Sequence, residues 1–129
     1  TILTAAGIEP PEYIRGLPLQ EVVEGYVENW RDEVFIQISE SQVGRAIRTN
    51  RWKYSINAPH KDGGNDPDSN TYVEDFLYDL ETDPYEKNNL IEDPEYKDLR
   101  TKLSERLKTR MEEAGEDIPE ILPAGSKVE

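Results

Sequence analysis

Five apolar side chains, Tyr96, Leu99, Leu103, Leu107 and Met111, recur at spacings of three and four near the C-terminal end of the chain. That spacing lines one stripe of an α-helix, and such a helix takes most of its stability from burying the stripe against another apolar surface. The boundaries of the helix are legible as well. Asp93 is an N-cap residue with Pro94 at the first helical position, and Gly115 stops the helix. Whatever else the chain does, it must build a sheet or helix face for this stripe to lie on.

The period changes upstream. Trp52, Tyr54 and Ile56 alternate with Arg51, Lys53 and Ser55, which marks a strand with one apolar face. Val34, Ile36 and Ile38 alternate with Phe35 and Gln37, and a less regular run follows from Val43 to Thr49, with Arg45 and Arg48 on opposite sides. Turn residues at 39–42 and at Asn50 make residues 34–57 an antiparallel three-stranded meander. A fourth strand from Asp75 to Leu80 presents Phe76, Tyr78 and Leu80 to one side. The expected fold is α+β: a small four-stranded antiparallel sheet covered by one C-terminal amphipathic helix. The helix is expected on the face of Trp52, Tyr54, Phe76 and Tyr78. Residues 1–25 read differently, as a helix end, a turn at Pro10-Pro11 and a short helix from Leu19 to Glu24. With no initiator Met, they read as a tail from a larger α/β domain, and residues 26–129 as the smaller domain.

Composition removes several classes of function. With 15 basic and 28 acidic residues among 129, the net charge is −13. Phosphate backbones and anionic membrane surfaces both call for the opposite sign, so neither nucleic acid nor membrane is an expected partner. No cysteine is present, which removes disulfides, zinc thiolates and thiol nucleophiles from this stretch. No apolar run approaches the ~18 residues of a membrane helix.

One ordered set of motifs goes further. Arg48-Thr49-Asn50-Arg51-Trp52-Lys53-Tyr54 precedes Leu77-Tyr78-Asp79-Leu80, then Asp83-Pro84, Glu86 and Asn89-Leu90. Ahead of these stand Ala6-Gly7-Ile8 with Pro10, and Gly16-Leu17-Pro18-Leu19, where Pro18 replaces a usual Ser. This order and spacing resemble the C-terminal part of the sulfatase family. The resemblance implies a subdomain that packs on a catalytic α/β domain. That domain holds a Cys or Ser within Cys/Ser-x-Pro-x-Arg that is oxidised to formylglycine, and a calcium ion held by Asp and Asn oxygens. None of the six serines, Ser39, Ser41, Ser55, Ser69, Ser104 and Ser126, is followed by x-Pro-x-Arg. No catalytic, metal-binding or cofactor residue can therefore be carried onto this chain, and calcium and formylglycine are implied only for the parent enzyme. Periplasmic or extracellular placement is common in the family, while the sequence itself fixes no localisation.

Three cations are candidates for shaping a substrate pocket: Arg45, His60 and Lys61. His60, the single histidine, lies in a polar stretch of residues 58–71 and reads otherwise as a solvated loop residue. The acidic run from Asp62 to Asn70 fails as an EF-hand loop: counted from Asp66, Thr71 stands where Gly is needed and Leu77 where a bidentate Glu is needed. It reads as a flexible solvated loop. Two functional readings follow. One is a sulfatase C-terminal domain, inactive alone, whose partner is the catalytic domain and whose apolar surface around Ile2, Leu3, Ile8, Leu17, Leu19 and Val22 leads to self-association in isolation. The other is an independent acidic protein-interaction module.

Overall fold

A computed structural model describes residues 1–26 and 30–128. The chain divides into two compact units, residues 1–31 and 32–129. The expected boundary at 25/26 falls inside the first of these, and residues 27–29, just past it, lie outside the described residues. In the first unit, helices α1 (Ile2–Ala5) and α2 (Leu19–Val23) are tied through Thr1. Its hydroxyl accepts from the Leu19 amide at 2.9 Å, and its carbonyl accepts from Gln20 Nε2 at 2.9 Å. Ile2, Ile8, Leu17, Leu19 and Val22 are all exposed, so this unit presents the apolar surface read from its sequence.

The second unit is a sheet with one helix. Strands β1 (Glu33–Ser39), β2 (Val43–Thr49), β3 (Trp52–Asn57) and β4 (Thr71–Asp79) pair antiparallel in sequence order. A short 3₁₀ turn, Pro94–Tyr96, leads into α3 (Lys97–Glu113). Asp93 caps this entry, its Oδ1 accepting from the Glu95 amide at 2.9 Å. Leu103, Leu107 and Met111 of the stripe are fully buried, with Tyr96 and Leu99 packed at its margin. Their partners across the core are Val43, Ile47, Tyr54, Ile56 and Leu77.

Three features depart from the sequence reading. First, a fifth strand, β5 (Glu120–Leu122), runs parallel to β4 and extends the sheet beyond four antiparallel strands. Three residues without clear alternation carry no strand signal, and only the return of the chain from α3 to the β4 edge makes them one.

Second, β4 starts at Thr71 rather than Asp75 and turns the opposite face to the helix. The register opposes Leu77 to Tyr54, and Tyr54 in turn to Ile47, so Leu77 joins the core while Phe76 and Tyr78 point away from α3. A shift between Ser55 and Ile56 leaves Asp75 as the extra residue, after which Glu74 faces the helix side, within 3.2 Å of the Tyr54 hydroxyl. Third, Phe35 packs toward the core and Val34, Ile36 and Ile38 are exposed on the far face. Alternation fixes that a strand has two faces, while pairing register decides which face the helix takes.

Candidate functional site

The candidate cations all lie at or beside one end of the sheet, where the β1–β2 turn meets the loop of residues 58–70. Arg45 belongs to β2 and lies on the helix side, only 4 % exposed. Its Nε donates to both Glu116 carboxylate oxygens at 2.9 Å. Its Nη1 donates to the Gly44 and Ile38 carbonyls at 2.8 and 3.1 Å, and its Nη2 to the Pro67 carbonyl at 2.9 Å. The guanidinium also lies 5.9 Å from the centre of the Tyr72 ring. Glu116 reaches it because Gly115, at φ +88°, reverses the chain after α3, and the Glu116 amide bonds back to the Met111 carbonyl at 3.0 Å. Gln37 Nε2 donates to the same carboxylate. Arg45 thus joins β1, β2, the loop and the exit of α3, with its donors turned inward.

His60 and Lys61 are placed differently, on the outer surface of the loop. Ser69 Oγ donates to the Thr71 carbonyl at 2.8 Å and accepts from the Thr71 amide at 3.1 Å. The hydroxyl's single proton is thereby used, so the 3.3 Å contact with His60 Nε2 is one in which the imidazole N–H donates. A serine whose proton is committed to a carbonyl, and which is itself 8 % exposed, has no role as a His-activated nucleophile. Lys61 is half-buried, with Nζ 3.6 Å from Asp66 Oδ1.

The loop itself is folded by its own polar groups. Asp66 Oδ2 accepts from the Asp62 amide at 2.9 Å, and Asp62 accepts from the Gly64 amide and from Asn65 Nδ2 at 3.2 and 2.5 Å. Gly63 is buried against the β1–β2 turn so closely that a Cβ there would lie 2.6 Å from the Glu40 carbonyl oxygen and the Gln42 amide nitrogen. The segment read as flexible is therefore seated on the hairpin, and Asp62 and Asp66 satisfy backbone donors within it. Among the described residues, no three His, Cys, Asp or Glu side chains converge to hold a metal.

Arg45, His60 and Lys61 share a neighbourhood, but only the last two reach solvent. The partners of Arg45 could not be found from sequence, since Glu116 and Pro67 lie far from it along the chain. The Ser69-Asn70-Thr71 run carried a local signal, as serine and threonine fold such turns.

The signature residues between β3 and α3 serve the backbone. Asp79 holds Arg51 with two bonds of 3.0 and 2.8 Å and also accepts from the Glu81 amide. The hydrogen bonds of Arg51 hold the Asp79 carboxyl below the usual carboxylate range. Asn89 Oδ1 accepts from the Leu77 and Ile91 amides at 3.0 and 3.1 Å, and its Nδ2 donates to the Asp75 carbonyl at 3.1 Å. Asp83 Oδ2 accepts from the Asn88 amide at 2.7 Å. Lys53 Nζ meets Glu86 at 2.6 Å, which helps hold Glu86 at its φ of +53°.

Comparison with known proteins agrees with this arrangement. Residues 1–113 match the family described as N-sulphoglucosamine sulphohydrolase, C-terminal. An ulvan-active sulfatase of Formosa agariphila is 31 % identical, the alignment covering 98 % of this chain and 32 % of the relative. The chain thus spans about a third of the length of that curated relative. A solved structure in complex with its substrate, D-glucosamine-2-N,6-O-disulfate, superimposes with a TM-score of 0.71 at 26 % identity, over 92 % of this chain and 24 % of that one. The structure of a 2-O GAG sulfatase shares the fold, with a TM-score of 0.70 at 24 % identity over 91 % of this chain and 24 % of that one. The independent interaction module finds no counterpart among these relatives. With the match running from Thr1 to the end of α3, the chain belongs to the N-sulphoglucosamine sulphohydrolase C-terminal family and is a C-terminal sulfatase domain.

Proposed function

We propose that this chain serves a sulfuric-ester hydrolase acting on sulfated saccharides, as the domain that packs beside the catalytic α/β domain and carries His60 and Lys61 toward the substrate. The family match over residues 1–113 carries the reading. The saccharide class is supported by the family's description and by the glucosamine disulfate bound in a similar structure. Formylglycine and calcium belong, in this reading, to the catalytic domain. This chain has no cysteine, Asp62 and Asp66 of the loop are engaged with backbone donors and Lys61, and among the described residues no three acidic or histidine side chains converge, so neither group fits the residues present. What the chain offers is a loop folded by its own polar groups, with an exposed imidazole and a half-buried ammonium, suited to hydrogen-bonding and neutralising an anionic sugar.

The test is sulfate release from N- and O-sulfated glucosamine by the whole polypeptide that contains this chain. His60→Ala and Lys61→Ala are each expected to raise KM severalfold with kcat little changed. Absence of sulfate release from every sulfated saccharide tried sinks the proposal. So does turnover by residues 1–129 alone that survives heat controls.

A further inference from the structure

His60 is exposed, yet it is held at both its backbone and its ring. The backbone lies in a tight turn. The Ala58 amide donates to the Val43 carbonyl of β2 at 2.8 Å, and the Lys61 amide donates to the Ala58 carbonyl at 3.0 Å. The second bond closes a turn over residues 58–61, with Pro59 in the position that its fixed φ suits and His60 next to it. The ring is met from the other end of the loop, where Ser69 Oγ lies 3.3 Å from Nε2.

Ser69 does not depend on the imidazole for its own place. Its Oγ closes a turn on the Thr71 amide and carbonyl, and its amide donates to the Tyr72 hydroxyl at 3.1 Å. Tyr72 is fully buried, with the Arg45 guanidinium over its ring. A chain of contacts therefore runs from the core through Tyr72 and Ser69 to His60. Lys61 has a separate support in Asp66, inside the loop. The bond to the imidazole is the one contact of Ser69 that its turn does not need.

We propose that Ser69 is a positioning residue for His60: it accepts the Nε2 proton, and so fixes the direction of the ring and its neutral tautomer for contact with the sugar. The proposal rests on the sulfatase reading above and deepens the part given there to His60. In a neutral imidazole one nitrogen donates and the other accepts, and the hydrogen bond made by one of them decides which is which. A binding group aimed beforehand leaves less ordering to be done when the ligand arrives. Tyr72, which holds the Ser69 amide, acts one step further back.

The experiment uses the whole polypeptide with ¹⁵N in its histidine rings, the His60 signals being identified by their loss in His60→Ala. At about pH 8, above the ordinary imidazole pKa of about 6.5, the wild type is expected to hold His60 mostly as the Nε2–H tautomer. Ser69→Ala is expected to lower the tautomer ratio by about 2–10-fold, the worth of one neutral hydrogen bond. The same variant should raise KM for N- and O-sulfated glucosamine severalfold with kcat little changed. Ser69→Thr keeps the γ-oxygen and should match wild type in both readings. Because Ser69 acts through His60, the KM of Ser69→Ala/His60→Ala should equal that of His60→Ala alone. A serine that serves only its turn gives additive effects on KM and an unchanged tautomer ratio, and either result overturns the proposal. Tyr72→Phe, which frees the Ser69 amide and keeps the buried ring, should shift both readings the same way by less. It supplies the test should Ser69→Ala fail to fold, and wild-type readings from it then count against the proposal. A shifted tautomer ratio with KM unchanged in Ser69→Ala and His60→Ala keeps the positioning of the ring and removes the proposed part of His60 in substrate binding. A raised KM in His60→Ala, with Ser69→Ala like wild type, keeps the proposed function and rejects Ser69.

Discussion

Replacing Arg45 by methionine tests what holds the loop end of the domain together. Methionine keeps most of the apolar stem and removes every donor. The Ile38, Gly44 and Pro67 carbonyls then lose their partner at once, and the Glu116 carboxylate loses its counter-ion and keeps only the Gln37 amide. The side chains of Arg45 and Glu116 are 3 and 13 % exposed, so water replaces little of what is lost. Removing one member of a buried pair costs about 3–5 kcal/mol, because the other charge stays behind unpaired. A domain of about a hundred residues has only ~5–15 kcal/mol in total. With a urea m-value of about 1.5 kcal/mol/M, the unfolding midpoint of Arg45→Met is expected to fall by about 2–3 M. The double variant Arg45→Met/Glu116→Leu removes the stranded carboxylate and should recover about 1–2 kcal/mol of that loss. The carbonyls stay unpaired, so recovery is incomplete. Urea unfolding followed by tryptophan fluorescence measures both. A single-variant midpoint within about 0.5 M of wild type refutes the view of Arg45 as a buried tie, and so does a double variant less stable than the single.

Three further outcomes follow from the same contacts. Asn89→Ala strips the Leu77 and Ile91 amides and the Asp75 carbonyl of their partner, for about 2–3 kcal/mol, and calorimetry should show a fall in Tm of about 10–15 °C. Asn89→Asp keeps the acceptor and should lose about half as much. The Asp79 carboxyl titrates lower in the folded protein than its unfolded value of about 3.9. Its ion pair with Arg51 therefore stabilises fully above that pH and fades as pH falls through the lower folded value. The stability gap between wild type and Asp79→Asn should be constant from neutral pH down to about pH 5 and narrow below about pH 4; a gap that widens on acidification contradicts the pairing. Gly63→Ala sets a methyl group against the backbone of the β1–β2 turn. It should cost about 1–3 kcal/mol, with faster amide exchange confined to residues 39–42 and 58–70.

How much of this was legible before the structure depended on sequence distance. The stripe of α3, its Asp93 cap and its Gly115 stop are all written within one helix, and each is where the spacing places it. The strands of the meander were equally local. What distant partners decide was not legible. Phe76, Leu77 and Tyr78 form a run apolar on both sides, so alternation alone could not tell which face meets the helix. Pairing of Leu77 with Tyr54 decided it. β5 exists only because a free edge of β4 lies where the chain returns. The candidate cations divide the same way. Arg45 read as a pocket group because its charge could meet an anionic substrate, yet its fate is set by Glu116 and Pro67.

The signature motif itself separates into two kinds of residue. Its polar members, Asp79, Asp83 and Asn89, bind Arg51 and backbone amides within the domain. Their side chains are spent on fixing the turn between β4 and α3. Its aromatic members, Phe76 and Tyr78, do the opposite: they stand on the face that α3 leaves uncovered, beside Lys53, whose ammonium lies 5.3 Å from the Phe76 ring centre. A motif whose polar side chains are spent within the turn fixes the fold of the domain and leaves none of these three for chemistry. Loss of Asn89 should therefore loosen the turn as well as lower stability, since one side chain clamps the Leu77 and Ile91 amides and the Asp75 carbonyl. Amide exchange measured at a temperature where Asn89→Asp is still folded separates the two effects, and unchanged exchange across residues 75–91 there argues that the turn is held by the sheet alone.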